Sequence, residues 1–306
     1  MKCFAGMLLL SSMLLFTSCE KRSPDATTSA PASPLKSTAV STQMFQVKGV
    51  VVTVKPEEKT VRILHEEIPG YMEAMTMPFE VKDTNELAGL NDGDTVTFRM
   101  LVTETDGWID QIKKLDVPTV NTLPANSGIR IVRDVEPLEV GSLLPEYTFT
   151  NQLGQAVSLS QFRGKALAFT FIFTRCPFPT FCPLMSNNFR GVRDALTKNP
   201  NAPTNWHLLT ISFDPEFDTP EKLKAYAASY NADPANWSFV TGTLVDITAI
   251  SEQVGLQFWR EPGGNINHNL RTVVVDAQGR LQKIYPENKW TMEELTEEVI
   301  KAAAAK

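Results

Sequence analysis

The chain has 306 residues, enough for two domains at about 100–200 residues each. Apolar residues make up 42% and charged residues 21%, which excludes disorder along the whole length. Net charge is −6 and no Lys/Arg-rich run occurs, which argues against a nucleic-acid partner. Four cysteines are too few for a disulfide-built scaffold, so any cysteine chemistry rests on very few of them.

The chain opens MKCFAGMLLLSSMLLFTSCE, with one Lys ahead of an apolar stretch broken by Ser11 and Ser12. That run is too short and interrupted for a good membrane span and reads as a signal peptide over 1–18. Phe16-Thr17-Ser18-Cys19 resembles a bacterial lipobox, and no Ala-x-Ala site competes nearby. Cys19 is then expected to carry a lipid anchor at the membrane; the plainer alternative is ordinary cleavage with Cys19 a bystander. Either way the expected location is the cell envelope, facing the periplasm, an oxidising compartment. Cys176 and Cys182 remain as the free thiols. Residues 19–44, rich in Ser, Thr, Ala and Pro, read as a flexible tether.

Residues 45–116 carry strand and turn signals. A β-branched run over 45–54 ends in the turn KPEEK, and Val61, Ile63 and His65 follow at period two. Met75, Met77, Phe79 and Val81 alternate with Thr76, Pro78, Glu80 and Lys82. Asn91-Asp92-Gly93-Asp94 marks a turn, and strands are expected at 95–102 and 108–112. Short strands without a convincing helix predict a small, closed or nearly closed OB-like β-barrel. Residues 117–138 read as a linker.

Residues 139–304 alternate strands and helices. The nearly all-apolar 166–173 (ALAFTFIF) predicts a strand buried on both faces, as does 207–213. Met185, Phe189, Val192 and Leu196 keep helical spacing. Thr219-Pro220 predicts an N-cap and first turn, a short helix is expected over 246–254 ahead of Gly255, and 272–285 reads as strand–turn–strand. Thr291 with Glu294 forms a capping box for the last helix. This order is that of an α/β thioredoxin-like domain, with cysteines at the first strand–helix junction.

That junction reads TRCPFPTFCP, with Cys182 at an expected helix N-terminus, where unpaired N–H groups favour a thiolate. A structural disulfide or two inert thiols is the bland alternative. His268 lies in a loop that such a fold brings beside the junction. Two thiolates and one imidazole suit Cu(I) or Cu(II), whereas zinc usually takes a fourth ligand.

On TRCPFPTFCP, ISFDPEFDTPEKL and the His268 loop before VVVDAQGRL, the second region resembles the Sco/SenC family of copper-handling thioredoxin-like proteins. The resemblance implies copper ligation by Cys176, Cys182 and His268, and a tuning role for Asp214. The family commonly places three residues between its cysteines; here there are five.

His65, Met75 and Met77 on apolar strand faces are, by themselves, more often core than ligands. The wider string HEEIPGYMEAMTMPF resembles the periplasmic CusF-type copper-binding barrel. That resemblance implies Cu(I) ligation by His65, Met75 and Met77, donors that suit a soft ion. The family's capping Trp is replaced by Met72, leaving either a third thioether or no cap. His207 is read as structural.

Together these imply a copper metallochaperone delivering to a respiratory oxidase copper subunit or another acceptor, with a redox-coupled cysteine pair served by a thiol reductant. Tethering two sites in one chain also raises the effective concentration for transfer between them. The rival readings are a thiol–disulfide oxidoreductase acting on the acceptor's cysteines and a copper-resistance buffer.

Overall fold

The computed structural model describes residues 42–72, 74–115, 135–260 and 266–305. The signal segment, Cys19, nearly all of the tether and most of the linker lie outside the described residues. Among the described residues no helix is long and apolar enough to cross a membrane.

The first region is one antiparallel sheet built from β1 (Gln43–Lys55), β2 (Thr60–His65), β3 (Met75–Glu80), β4 (Thr95–Val102) and β5 (Gly107–Lys114). Its strand order is β3-β2-β1-β4-β5. The period-two pattern works as expected: Val61, Ile63, Met77, Phe79, Val96, Phe98 and Ile109 are buried on the inner face. Closure into a barrel is not completed. Among the described residues the two edges are joined by one isolated parallel bridge, from Val81 just past β3 to Ile109 of β5, and by no ladder.

The second region contains β6 (Thr148–Asn151), β7 (Ala156–Ser158), β8 (Ala166–Ile172), α1 (Cys182–Lys198), β9 (Trp206–Ser212), α2 (Pro220–Ser229), β10 (Trp237–Thr241), α3 (Leu244–Gln253), β11 (Phe258–Arg260), β12 (Ile266–His268), β13 (Arg271–Val275), β14 (Leu281–Pro286) and α4 (Met292–Ala304). Seven strands form one sheet in the order β14-β13-β8-β9-β10-β6-β7, with β8, β9 and β10 parallel. β8 and β9 are buried at every position, as their apolar runs require. Helix α1 buries Met185, Phe189, Val192 and Leu196 as one stripe. Thr219 and Thr243 cap α2 and α3, and both halves of the Thr291–Glu294 capping box are made. β11 and β12 form a separate two-stranded ribbon that carries His268 at its end.

His207 is a core residue. Its Nε2 lies 2.9 Å from Ser238 Oγ, and its ring packs on Phe162. Burial lowers its pKa to about 4, so the folded state holds it neutral. The unfolded chain takes up the proton first, so stability is full above the unfolded pKa of roughly 6.5 and falls as pH drops towards the folded value. We expect a loss of the order of 2–3 kcal/mol between these limits, reduced in His207→Gln, as measured by urea unfolding at stepped pH.

Candidate metal centre

The segment from the end of β8 to the first residue of α1 carries both cysteines. A turn closed by Cys176 N–H on the Phe173 carbonyl at 3.2 Å lifts Cys176 off the strand end. Cys182 is the first residue of α1, whose N-cap, Phe181, offers no side-chain hydrogen bond. The ribbon of β11 and β12 brings His268 to the same point. Ligand atoms of Cys176, Cys182 and His268 all lie within 4.8 Å of one another, and this is the one group of three or more such side chains among the described residues.

The imidazole is held by its surroundings. Its Nδ1 donates to the Asn269 carbonyl at 3.0 Å, which fixes the ring and leaves Nε2 as the nitrogen free for the sulphur side of the site. Phe173, Phe181 and Phe213 pack around the ring at centroid distances of 5.6, 5.8 and 5.0 Å. These rings form an apolar wall, and Asn267 and Thr76 line the same space beside the sulphurs and the imidazole.

The two thiols are not equivalent. Burial pushes Cys176 up, but hydrogen bonds from Cys182 and His268 outweigh it and hold Cys176 well below the ordinary thiol range. Burial and then the neighbouring Cys176 push Cys182 well above that range. Two adjacent buried sulphurs do not both ionise, and the charge settles where the imidazole faces it. This reverses the assignment expected from the helix N-terminus, which placed the thiolate on Cys182.

Asp214 stands outside the ligand group. It is fully buried and paired with Arg175 at 2.8 Å and with Arg260, so it clamps the residue before Cys176 to the ribbon that carries His268. Asp218, which the sequence did not single out beyond its place before the Thr219 cap, accepts from Thr174 N–H at 3.0 Å and Ser212 Oγ–H at 2.5 Å. It ties the cysteine loop to the end of β9.

In the sheet region, β2–β3 pairing sets His65 opposite Met75 and Ile63 opposite Met77. Residues opposite one another share a face, so His65, Met75 and Met77 lie on the inner side together. His65 Nδ1 lies 2.7 Å from the Glu66 carbonyl, so it donates there. Its Nε2 is buried without a hydrogen-bond partner among the described residues. Burial lowers the His65 pKa and keeps the ring neutral. A buried, neutral imidazole nitrogen with nothing to bond is what a metal ligand presents before its ion arrives. Met72 is buried as well, bridged to Ile68 just ahead of β3. Trp108 lies on β5 under the Lys82 ammonium, 5.1 Å from the ring centre, and does not line the methionine pocket.

A thioredoxin-like domain with two cysteines and a histidine converging at its first strand–helix junction, joined to a β-sheet unit with a histidine and methionines on one face, defines a class of soft-metal proteins. A family model described as SCO1/SenC matches residues 136–304, more than half of the chain, and the chain belongs to the SCO1/SenC family. A second model, described as the copper binding periplasmic protein CusF, matches residues 44–114. Both are copper-binding families. The chain is 38% identical over 142 residues to the SCO1 protein homolog of Bacillus subtilis, covering 45% of this chain and 71% of that protein. A SCO1/SenC family lipoprotein from Bacillus anthracis superposes with a TM-score of 0.48 at 27% identity, over 53% of this chain and 96% of that one. ScoI of Bradyrhizobium japonicum with copper bound superposes with a TM-score of 0.45 at 24% identity, over 53% of this chain and 99% of that one.

The inequality of the thiols is measurable in the metal-free protein. Alkylation by iodoacetamide should label Cys176 with a midpoint below the free-thiol value of about 8.5. Cys182 should stay unlabelled through that range. Replacing His268 by Ala should move the Cys176 midpoint upward.

Proposed function

We propose that this chain is an extracytoplasmic copper carrier that holds copper through Cys176, Cys182 and His268 and holds Cu(I) a second time through His65, Met75 and Met77, with Met72 beside them. The observation that carries this reading is the convergence of two sulphurs and an imidazole within 4.8 Å. The orphaned, buried Nε2 of His65 supports the second set. Thiolate, thioether and imidazole form a soft donor group that favours copper over harder divalent ions.

The copper in the thiolate site is delivered to an acceptor, of which the copper centre of a respiratory oxidase is the candidate. Oxidation of the cysteine pair to a disulfide removes two electrons and two protons, and with them both thiolate ligands. Copper holding is therefore tied to the redox state of the pair, and a thiol reductant restores it. Cys19, lipidated after removal of residues 1–18, anchors the chain at the periplasm-facing side of the envelope, which fits the periplasmic description of the second matched family.

The lowered pKa of Cys176 beside a second thiol also favours a thiol–disulfide exchange reading, in which the pair reduces an acceptor disulfide and becomes oxidised itself. That reading needs no imidazole ligand.

Titration of the reduced chain with Cu(I) against a competing chelator separates them. The carrier reading predicts two tight sites, falling to one in Cys176→Ser/Cys182→Ser and to the other one in His65→Ala/Met75→Leu. His268→Ala should lose tight copper at the thiolate site while keeping disulfide reduction, slowed near neutral pH as the Cys176 pKa rises. Unchanged copper binding in the double cysteine variant would remove the thiols from the ligand set and leave the exchange reading.

A further inference from the structure

We propose that the pocket between the sheet region and the thioredoxin-like region is a handover site for a single Cu(I), walled by methionines on one side and by Cys176 and His268 on the other, and held shut by the ring of Phe178. This rests on the copper reading above and adds a position that neither ligand set supplies alone.

One cavity is lined by Met72, Met75 and Met77 from the sheet region and by Cys176, Phe181 and His268 from the other. Its volume is about 20 Å³, room for one water-sized or ion-sized particle. Strand β12, which carries His268, lies in contact with β3, which carries Met75 and Met77. The two soft donor groups therefore face one another across a space too small for bulk water.

Phe178 holds the walls together. It lies between the cysteines in sequence, yet its ring is only 3% exposed and belongs to the hydrophobic core of the sheet region. It packs edge-on against Phe79 at 6.2 Å. It also sits on Gly107: a Cβ there would lie 2.7 Å from the ring tip, and its three nearest atoms would all belong to Phe178. Gly107 does not have a positive φ, so glycine at this position is required by the ring and not by the backbone. Tyr71 O–H donates to the Pro177 carbonyl at 3.0 Å beside it. At the rim of the interface, Lys289 pairs with Glu58 at 2.9 Å.

The step is a ligand exchange in which Cu(I) keeps its valence. A bond to a thioether breaks as one to the Cys176 sulphur forms, and the proton displaced when Cys182 joins leaves to solvent. The ion passes from one donor set to the other without a free aqueous state. While the ring is seated, a large acceptor is kept from Cys176.

Phe178→Ala removes the ring, and Gly107→Val fills its seat from the opposite side, so the two variants open the pocket independently. The reduced full chain is mixed with one equivalent of Cu(I) from a weak chelator, and growth of thiolate–copper absorption is followed. In the parent chain the relocation phase should be first-order and independent of protein concentration. In both variants it should slow by roughly tenfold or more and become concentration-dependent. A second readout needs no copper: alkylation of Cys176 by a polymer-bearing maleimide should speed up about tenfold in both variants, relative to iodoacetamide. Parent-like relocation in both variants, parent-like maleimide reactivity in both, or a concentration-dependent phase in the parent chain would each overturn the proposal. Absence of thiolate-bound copper in the parent chain would sink the copper reading and the handover together, while the maleimide result would still report on the Phe178 seat.

Discussion

A single loop crosses between two hydrophobic cores. Cys176 and Cys182 pack against the core of the thioredoxin-like region, and Phe178, between them in sequence, is buried in the core of the sheet region. Burying a Phe side chain contributes about 1.5–3 kcal/mol, a large share of what a modest domain contact needs. Phe178 and Pro177, which lie in the segment that presents the thiols, make part of this contact, beside Lys289–Glu58 and the β12–β3 approach, so docking and ligand geometry are linked through that segment. Arg175 and Thr174, just before it, are held by buried Asp214 and Asp218. Asn288 holds its far end through the Thr180 carbonyl at 2.8 Å. The loop is fixed from three directions before any ion is considered.

The two histidines solve one problem in the same way. Each donates Nδ1 to the backbone carbonyl of the following residue, at 2.7 Å for His65 and 3.0 Å for His268. This selects the tautomer and leaves Nε2 for a ligand role. Their settings differ in charge. The sulphurs on the face of His65 are neutral thioethers, whereas His268 faces a thiol whose pKa is lowered. A thiolate attracts a cation more strongly than a neutral thioether does, which is the direction the proposed movement from sheet to thiolates requires.

Much of this was legible in the chain. His65, Met75 and Met77 share a face because period-two alternation survives in the sheet, and the Thr291–Glu294 box is a local signal that needs no tertiary context. The cysteine loop and the His268 loop were readable as chemistry, and the fold brings them together. Other features were not readable because they are set by distant partners. Strand β10 is buried on both faces, so it shows no alternation, and β6 and β7 are too short to carry a pattern. Closure of the first sheet depends on how its edges meet, and they meet at one bridge. The helix N-terminus pointed to Cys182 as the thiolate, but the nearby imidazole decides in favour of Cys176. Phe178, flanked by Pro177 and Pro179, carries no periodic signal; its packing on Phe79 and over Gly107, across the interface, reveals its role.

The central claim is that both sulphurs and the imidazole of the thioredoxin-like region hold one copper ion. X-ray absorption at the copper edge tests it most directly, on reduced protein carrying one equivalent of Cu(I) and Met75→Leu/Met77→Leu in the sheet. The account predicts two short sulphur scatterers and one imidazole nitrogen, with the imidazole pattern lost in His268→Ala. A first shell of sulphur alone, or of oxygen and nitrogen without sulphur, would contradict it.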